Sequence, residues 1–246
     1  MSNILVQDFA DGVTLFTINR PHKRNAICSK TAIELQQAYA RFDRSEQRVA
    51  VITGAGNEAF SAGADVADVP ELWRCVPTVG GLDEKPVIAA LGGWAVGGGM
   101  IIAMMADLVV MADNAKLSYP EAKLGLTQGM IAGLAGRVPH KVAMEVMLLA
   151  RTVDARRAYE VGMANEVVPV GRQVEAALAM ARELAAMAPM VHRTLKRFVT
   201  QQVLAHGPTE RFARTKREME AIGNSEDCAE GFRAYREKRP PVFAGR

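Results

Sequence analysis

Cysteine is scarce in this chain of 246 residues: Cys28, Cys75 and Cys228 are far apart and odd in number. That excludes a disulfide framework, and no spacing among them suits a metal site, so no metal is expected. A reducing, cytoplasmic setting fits. Aromatic residues are only 6% of the chain, which disfavours a nucleic-acid surface, where exposed rings must stack on bases. Long hydrophobic runs are missing too. The longest, Trp94 to Met105, is broken by three glycines and is too short to cross a bilayer, so no membrane partner is expected. The opening MSNILVQDFADG lacks a basic region followed by an apolar run, so no secretory signal is expected. There is no low-complexity segment and no repeat of fixed period. No G-x-x-x-x-G-K-[ST] loop and no G-x-S-x-G elbow occurs. Gly54 to Ala59 spells G-x-G-x-x-A after a strand, but Phe60-Ser61-Ala62-Gly63 is a poor helix start, which disfavours a dinucleotide site. The four histidines, His22, His140, His192 and His206, show no metal spacing and no suggestive partner, and read as surface or packing residues.

What is present is ample apolar material, 49% of the residues, enough for one large domain with a helical extension. Ile4 to Phe9 and Val13 to Ile18 read as strands joined at Asp11-Gly12. Ser29 is positioned to cap a helix from Lys30 to about Asp43. Strands follow at Val49 to Thr53, Val87 to Leu91, Leu108 to Ala112 and Leu117 to Tyr119. A short helix capped by Asp65 is expected to end near Pro70. Beyond Met130 the pattern is mostly helical. Helices are expected from Pro139-His140 to Leu149 and from Asp154 to Gly162, with a strand at Glu166 to Val170. Four helices follow: Gln173 to Ala188, Val191 to Ala205, Thr209 to Ile222 and Ser225 to Lys238. Strands alternating with helices, then helices alone, predict an α/β core with a helical C-terminal part.

The chemistry concentrates between Leu91 and Gly129. A buried strand runs into Gly92, Gly93, Gly97, Gly98 and Gly99, and a buried helix from Met100 to Met105 follows. Glycines before a helix admit a ligand close to the backbone, and the first helical N–H groups have no partner inside the helix. Gly98 and Gly99 can therefore offer N–H groups to a negative oxygen. Further on, Tyr119-Pro120-Glu121 sets one carboxylate among apolar neighbours. The alternative for Glu121 is a helix cap, accepting a backbone N–H.

Basic residues gather at Lys23-Arg24, at Arg193, Lys196 and Arg197, at Arg211, Arg214, Lys216 and Arg217, and at Arg233, Arg236, Lys238 and Arg239. Solvated helix faces explain such runs most simply. The functional alternative is phosphate binding, and coenzyme A would need two or three of these groups.

Singly, Ser61 to Asp65 and Gly97 to Gly99 read as loop punctuation. Together with Asn19-Arg20-Pro21 upstream and Pro120-Glu121 downstream, they form a pattern that resembles the crotonase, or enoyl-CoA hydratase/isomerase, superfamily. The matching stretches include NRPHKRNAI at 19–27, VITGAGNEAFSAGAD at 51–65, KPVIAALGGWAVGGG at 85–99 and ADLVVMADNAKLSYPEAKLG at 106–125. AMEVMLLARTVDARRAYEVGMANEVVP at 143–169 and SEDCAEGFRAYREKRPPVFAGR at 225–246 extend it over nearly the whole chain.

The resemblance implies an α/β spiral of ββα repeats over residues 1–188. It implies a helical region over 189–246 that builds a homotrimer or a hexamer and covers coenzyme A. It implies an acyl-CoA thioester as substrate, with no separate cofactor. The N–H groups of Ala64 and Gly98 would hold the thioester oxygen as it becomes an enolate, and Glu121 would transfer the proton. Lys23, Arg24, Ala26, Ala62, Asp65, Ile101, Tyr119, Gln128, Met130 and Phe243 are the expected substrate contacts, Phe243 partly from a neighbouring subunit.

The chain departs from the family pattern in two places. Typical hydratases carry a second glutamate three residues after the oxyanion glycine, where this chain has Ile101. The G-x-x-P-G-x-G-G pattern downstream is replaced by Gly125 to Ala132, with bulky Met130 and Ile131. One carboxylate suits double-bond isomerisation. Hydration or dehydration is the alternative and would need a polar helper such as Tyr119 or Gln128. A non-catalytic protein binding acyl-CoA or RNA is the third reading.

Overall fold

The computed structural model describes residues 2–246. Strands β1 (Ile4–Asp8) and β2 (Val13–Ile18) form an antiparallel hairpin in which Ile4 faces Ile18. Gly12, at φ 84°, makes the turn. Strands β3 (Val49–Gly54) and β5 (Val87–Leu91) are buried along their whole length, as expected of parallel strands covered on both faces. With β7 (Leu108–Ala112) and β10 (Glu166–Val168) they complete a six-stranded sheet, ordered β1-β2-β3-β5-β7-β10 and parallel beyond the hairpin.

Three-residue strands make a second sheet. β4 (Ala59–Ser61), β6 (Trp94–Val96) and β8 (Lys116–Ser118) run parallel, and β9 (Val153–Asp154) closes it antiparallel. The chain visits the large sheet, then the small one, and returns: β3 to β4, β5 to β6, β7 to β8. This repetition is the spiral. Strands this short carry little periodicity, and β4, β6 and β9 are the strands that pattern reading misses.

The large sheet is covered on one face by α6 (Gln173–Ala185), whose Ala177, Ala181 and Ala185 recur every fourth residue and pack on Val49, Val51, Ile88 and Val110. The other face meets α1 (Ser29–Arg44) and α2 (Gly98–Met104). There Phe16 takes Tyr39 and Phe42 edge-on, with ring centroids 5.5 and 5.9 Å away.

The remaining helices are α3 (Glu121–Leu124), α4 (His140–Leu149), α5 (Ala155–Glu160), α7 (Pro189–Phe198), α8 (Pro208–Gly223) and α9 (Glu226–Glu237). Asp154 caps α5 as expected, accepting the Arg157 N–H at 2.8 Å. Three local expectations need correction. The N-cap of α1 is Cys28, while Ser29 gives its hydroxyl to Asp68. No helix follows Asp65, because its carboxylate is shared between Arg20 and the Ala67 N–H, which makes a turn. The helix expected over 191–205 begins at Pro189 and becomes a π-helix over Val199–Val203.

Lys196 corrects the reading of the basic clusters. It is buried, and its ammonium donates to Asp107 Oδ2 at 2.7 Å and to the Lys85 carbonyl at 2.8 Å. It ties α7 to the core and is not free for phosphate. Lys196→Met should lower stability by about 2 kcal/mol in a denaturant titration, because Asp107 loses its counter-charge. An unchanged midpoint would refute that role.

Candidate active site

Two loops converge at the start of α2. Gly97, at φ 49° and ψ −115°, turns β6 into α2, so Gly98 is the first helical residue and its N–H has no helical acceptor. The second loop follows β4. Ile27 and Ala64 form a parallel bridge closed by the N–H groups of Ile27 and Asp65, which leaves the Ala64 N–H outside it. A Cβ built on Gly63 would lie 3.3 Å from the Gly98 nitrogen, so the two loops touch. Two N–H groups presented this way can hold a negative oxygen.

The loop carrying Ala64 is braced from behind. Arg20 donates to the Ala26 carbonyl at 2.6 Å and to Asp65 at 3.0 Å. That guanidinium holds the Asp65 carboxyl below its usual range. Asn25 clamps the Ala55 and Ala59 carbonyls, and the Ala62 N–H donates to the Arg24 carbonyl. Asp65 and Ala26 are thus parts of a scaffold organised by Arg20, a residue visible in the sequence only as part of Asn19-Arg20-Pro21.

Glu121 opens α3 with Pro120 at the cap position, and its carboxylate accepts its own backbone N–H, which keeps part of the capping alternative. Its Oε1 would lie 2.9 Å from a Cβ on Gly97. Its Oε2 is buried with no hydrogen-bond partner. Burial pushes the carboxyl up from its ordinary pKa, offset in part by its own N–H. A carboxylate with one buried oxygen unpartnered, beside the glycine turn, is available for proton transfer.

The surroundings are apolar. Ile101, one turn along α2 from Gly98, is 2% exposed. Leu72 packs directly on Gly98, and Met130 is buried at the head of a 3-10 turn, Met130–Gly136. Tyr119 is buried, and its hydroxyl meets Thr127 Oγ1 at 3.0 Å. Burial raises the Tyr119 phenol, and the neighbouring Glu121 charge adds to that. Gln128 is exposed. Thr127, which also accepts the Gly129 N–H, is the polar neighbour that sequence reading overlooked.

The basic groups divide. Arg193 and Arg197 pair with Glu84, Arg217 with Asp83, Lys216 and Arg74 with Glu71, and Arg233 and Arg239 with Glu230. Lys23 and Arg24 are exposed and take no ion pair among the described residues. Phe243 is exposed, on a tail that folds back on α9, where the Val242 N–H donates to Glu230 at 3.1 Å. Among the described residues no acidic, His or Cys cluster is arranged to hold a metal ion, and no helix is long and apolar enough to cross a membrane.

The spiral, the paired N–H groups and the carboxylate define a class, and sequence comparison agrees: the chain belongs to the enoyl-CoA hydratase/isomerase family, whose profile matches residues 8–246. It is therefore an acyl-CoA enzyme with the crotonase fold. It is 36% identical over 246 residues to a carnitinyl-CoA dehydratase of Citrobacter koseri, spanning 94% of each chain. Among solved structures, a carnitinyl-CoA dehydratase from Mycobacterium avium is 35% identical at a TM-score of 0.74, and a probable enoyl-CoA hydratase/isomerase from Mycobacterium abscessus is 35% identical at 0.75. Both alignments cover 100% of both chains.

Proposed function

We propose that the chain moves the double bond of a 3-enoyl-CoA into conjugation with the thioester. The thioester oxygen accepts the Ala64 and Gly98 N–H groups. Glu121 takes a proton from C2, and the electrons pass into an enolate on that oxygen, where each donor is worth roughly 3 kcal/mol. The enolate re-forms the carbonyl as the double bond shifts to C2–C3, and Glu121 returns the proton to C4. The observation that carries this reading is the Glu121 carboxylate, with Oε1 beside Gly97 and Oε2 buried and unpartnered, and with Ile101 where a second carboxylate would hold water. Lys23 and Arg24, exposed and without an ion pair among the described residues, are the cations proposed for the CoA phosphates.

The similarity to carnitinyl-CoA dehydratases favours a second reading. The same enolate can expel a β-hydroxyl, with the Tyr119–Thr127 pair as the nearby polar group. A paired assay separates the two. One arm offers crotonyl-CoA and follows loss of the conjugated absorbance; the other offers a 3-enoyl-CoA and follows its gain. Gain without loss is expected. Brisk loss in the first arm would transfer the assignment to hydration and dehydration.

Assembly is part of the proposal. Helices α7 to α9 expose Met190, Leu195, Phe198, Phe212, Ile222 and Phe232, apolar side chains that association would cover. We expect a homotrimer or a hexamer by light scattering; a monomer would refute it. Residues 189–246 would form that assembling region, on a core of residues 1–188. Cys28, Cys75 and Cys228 are free thiols, which suits the cytoplasm.

A further inference from the structure

A cavity of about 360 Å³ lies at the end of α2 remote from Gly98. Met105, Val109, Met163 and Leu204 give it apolar walls, and Thr78 and Arg137 give it polar ones. The π-helical stretch forms one side, and such segments recur at functional sites. Met105 follows α2 directly, two turns or about 10 Å beyond Gly98. Gly98, Ile101 and Met105 share one helix face at i, i+3 and i+7. That face leads from the oxyanion site to the edge of the cavity, where the flexible Met105 side chain stands.

Its polar groups retain unused hydrogen-bonding capacity. Thr78 is 2% exposed, and its hydroxyl has no hydrogen-bond partner. It is held there by a left-handed backbone, φ 65°, with its N–H bonded to Gly81, and a β-branched residue adopts that conformation only under strain. Arg137 gives one N–H to the Gly133 carbonyl and makes no ion pair among the described residues. A guanidinium has five N–H donors and cannot shed its charge readily. Burial depresses the Arg137 pKa, partly offset by the nearby Glu210 and Asp107 carboxylates.

The other charges nearby are engaged or in deficit. Asp107 is bound by Lys196 and the Val87 N–H. Asn165 Oδ1 accepts the Val109 N–H. Glu210 meets His206 at 3.2 Å through Oε2, which corrects the partnerless reading of His206, while its Oε1 and the Arg214 Nε are buried without partners. Arg137, Arg214 and Lys196 outnumber Glu210 and Asp107, so the region carries excess positive charge.

We infer that this cavity binds a carboxylate on an apolar stem, with Arg137 and Thr78 donating to its oxygens. Two sources share this chemistry: the far end of a dicarboxylic acyl chain on coenzyme A, and a free carboxylate. The first rests on the acyl-CoA reading above. It also narrows that reading to chains long enough to cross about 10 Å beyond the oxyanion site.

Calorimetric titration with butanoyl-CoA, decanoyl-CoA, decanedioyl-CoA and free decanedioate tests the inference without needing turnover. Decanedioyl-CoA should bind roughly tenfold or more tighter than decanoyl-CoA. Arg137→Gln should erase that preference and leave butanoyl-CoA affinity unchanged. Thr78→Val, which keeps side-chain shape, should reduce the preference and guards against a misfolded Arg137 variant. Arg137-dependent binding of free decanedioate, with no dicarboxylyl preference among the thioesters, would support the cavity and assign it to a free carboxylate. No preference in the wild type together with no binding of free decanedioate, or a preference intact in both variants, overturns the inference. A protein that binds no thioester but holds decanedioate through Arg137 would overturn the acyl-CoA reading and keep the cavity.

Discussion

Glu121→Gln should cut turnover of the preferred acyl-CoA by about 10²–10⁴-fold and at the same time raise the melting temperature at neutral pH. The rate loss follows from the proposed role, because an amide of the same shape cannot take a proton from C2. The gain in stability follows from the environment. Glu121 Oε2 is buried without a partner, and burial lifts the carboxyl above its ordinary pKa. A group whose pKa is raised on folding binds its proton more tightly in the native state. It therefore imposes a cost that appears as pH rises from the unfolded pKa through the folded one, and is complete above both. The amide avoids that cost. The wild-type rate should fall in acid through an apparent pKa above the usual glutamate range, and the variant's residual rate should lack that limb. A variant with wild-type turnover would remove Glu121 from the chemistry. A variant with lost turnover and a lower melting temperature would make the residue a structural prop.

The segments of the candidate site were more legible in the sequence than the pairings that support them. Gly97 to Gly99, Ser61 to Asp65 and Pro120-Glu121 are local patterns whose residue types are demanded by backbone geometry, and the structure brings all three to the start of α2. Long strands such as β3 and β5 also declared themselves, because their buried runs are unbroken. Other features depend on partners remote in sequence. Lys196 reads as one more charge on a basic helix until Asp107 is beside it. Asp65 reads as a helix cap until Arg20 claims it. Thr127 has no local pattern at all and acquires its place only through the Tyr119 hydroxyl. Charges and hydroxyls act through pairwise geometry, which a single chain read in order does not contain.

Gly97→Ala should be nearly as damaging as loss of the carboxylate, although it adds one methyl group. The backbone at φ 49° and ψ −115° lies where side-chain-bearing residues pay strain of about 1–3 kcal/mol. The new Cβ would also sit 2.9 Å from Glu121 Oε1. That contact is with the free end of a side chain, so the carboxylate moves before the backbone does. The strain cannot be relieved the same way. The Gly97 N–H donates to the Ser118 carbonyl, and the Gly97 carbonyl accepts the Ile101 N–H. Any relaxation of the turn therefore tilts the first residues of α2, including the Gly98 N–H. One substitution displaces the base and the oxyanion donor together, and a misplacement of about 1 Å can cost roughly 10²-fold in rate. The proposed coenzyme A contacts, Lys23 and Arg24, lie on another loop, so the loss should fall on kcat while KM for the thioester changes little. Denaturant titration should show the strain separately. Wild-type kcat in a destabilised Gly97→Ala protein would mean that the turn shapes the fold without aligning the reacting groups. A raised KM with kcat intact would mean that Gly97 leaves room for the substrate and does not place the base.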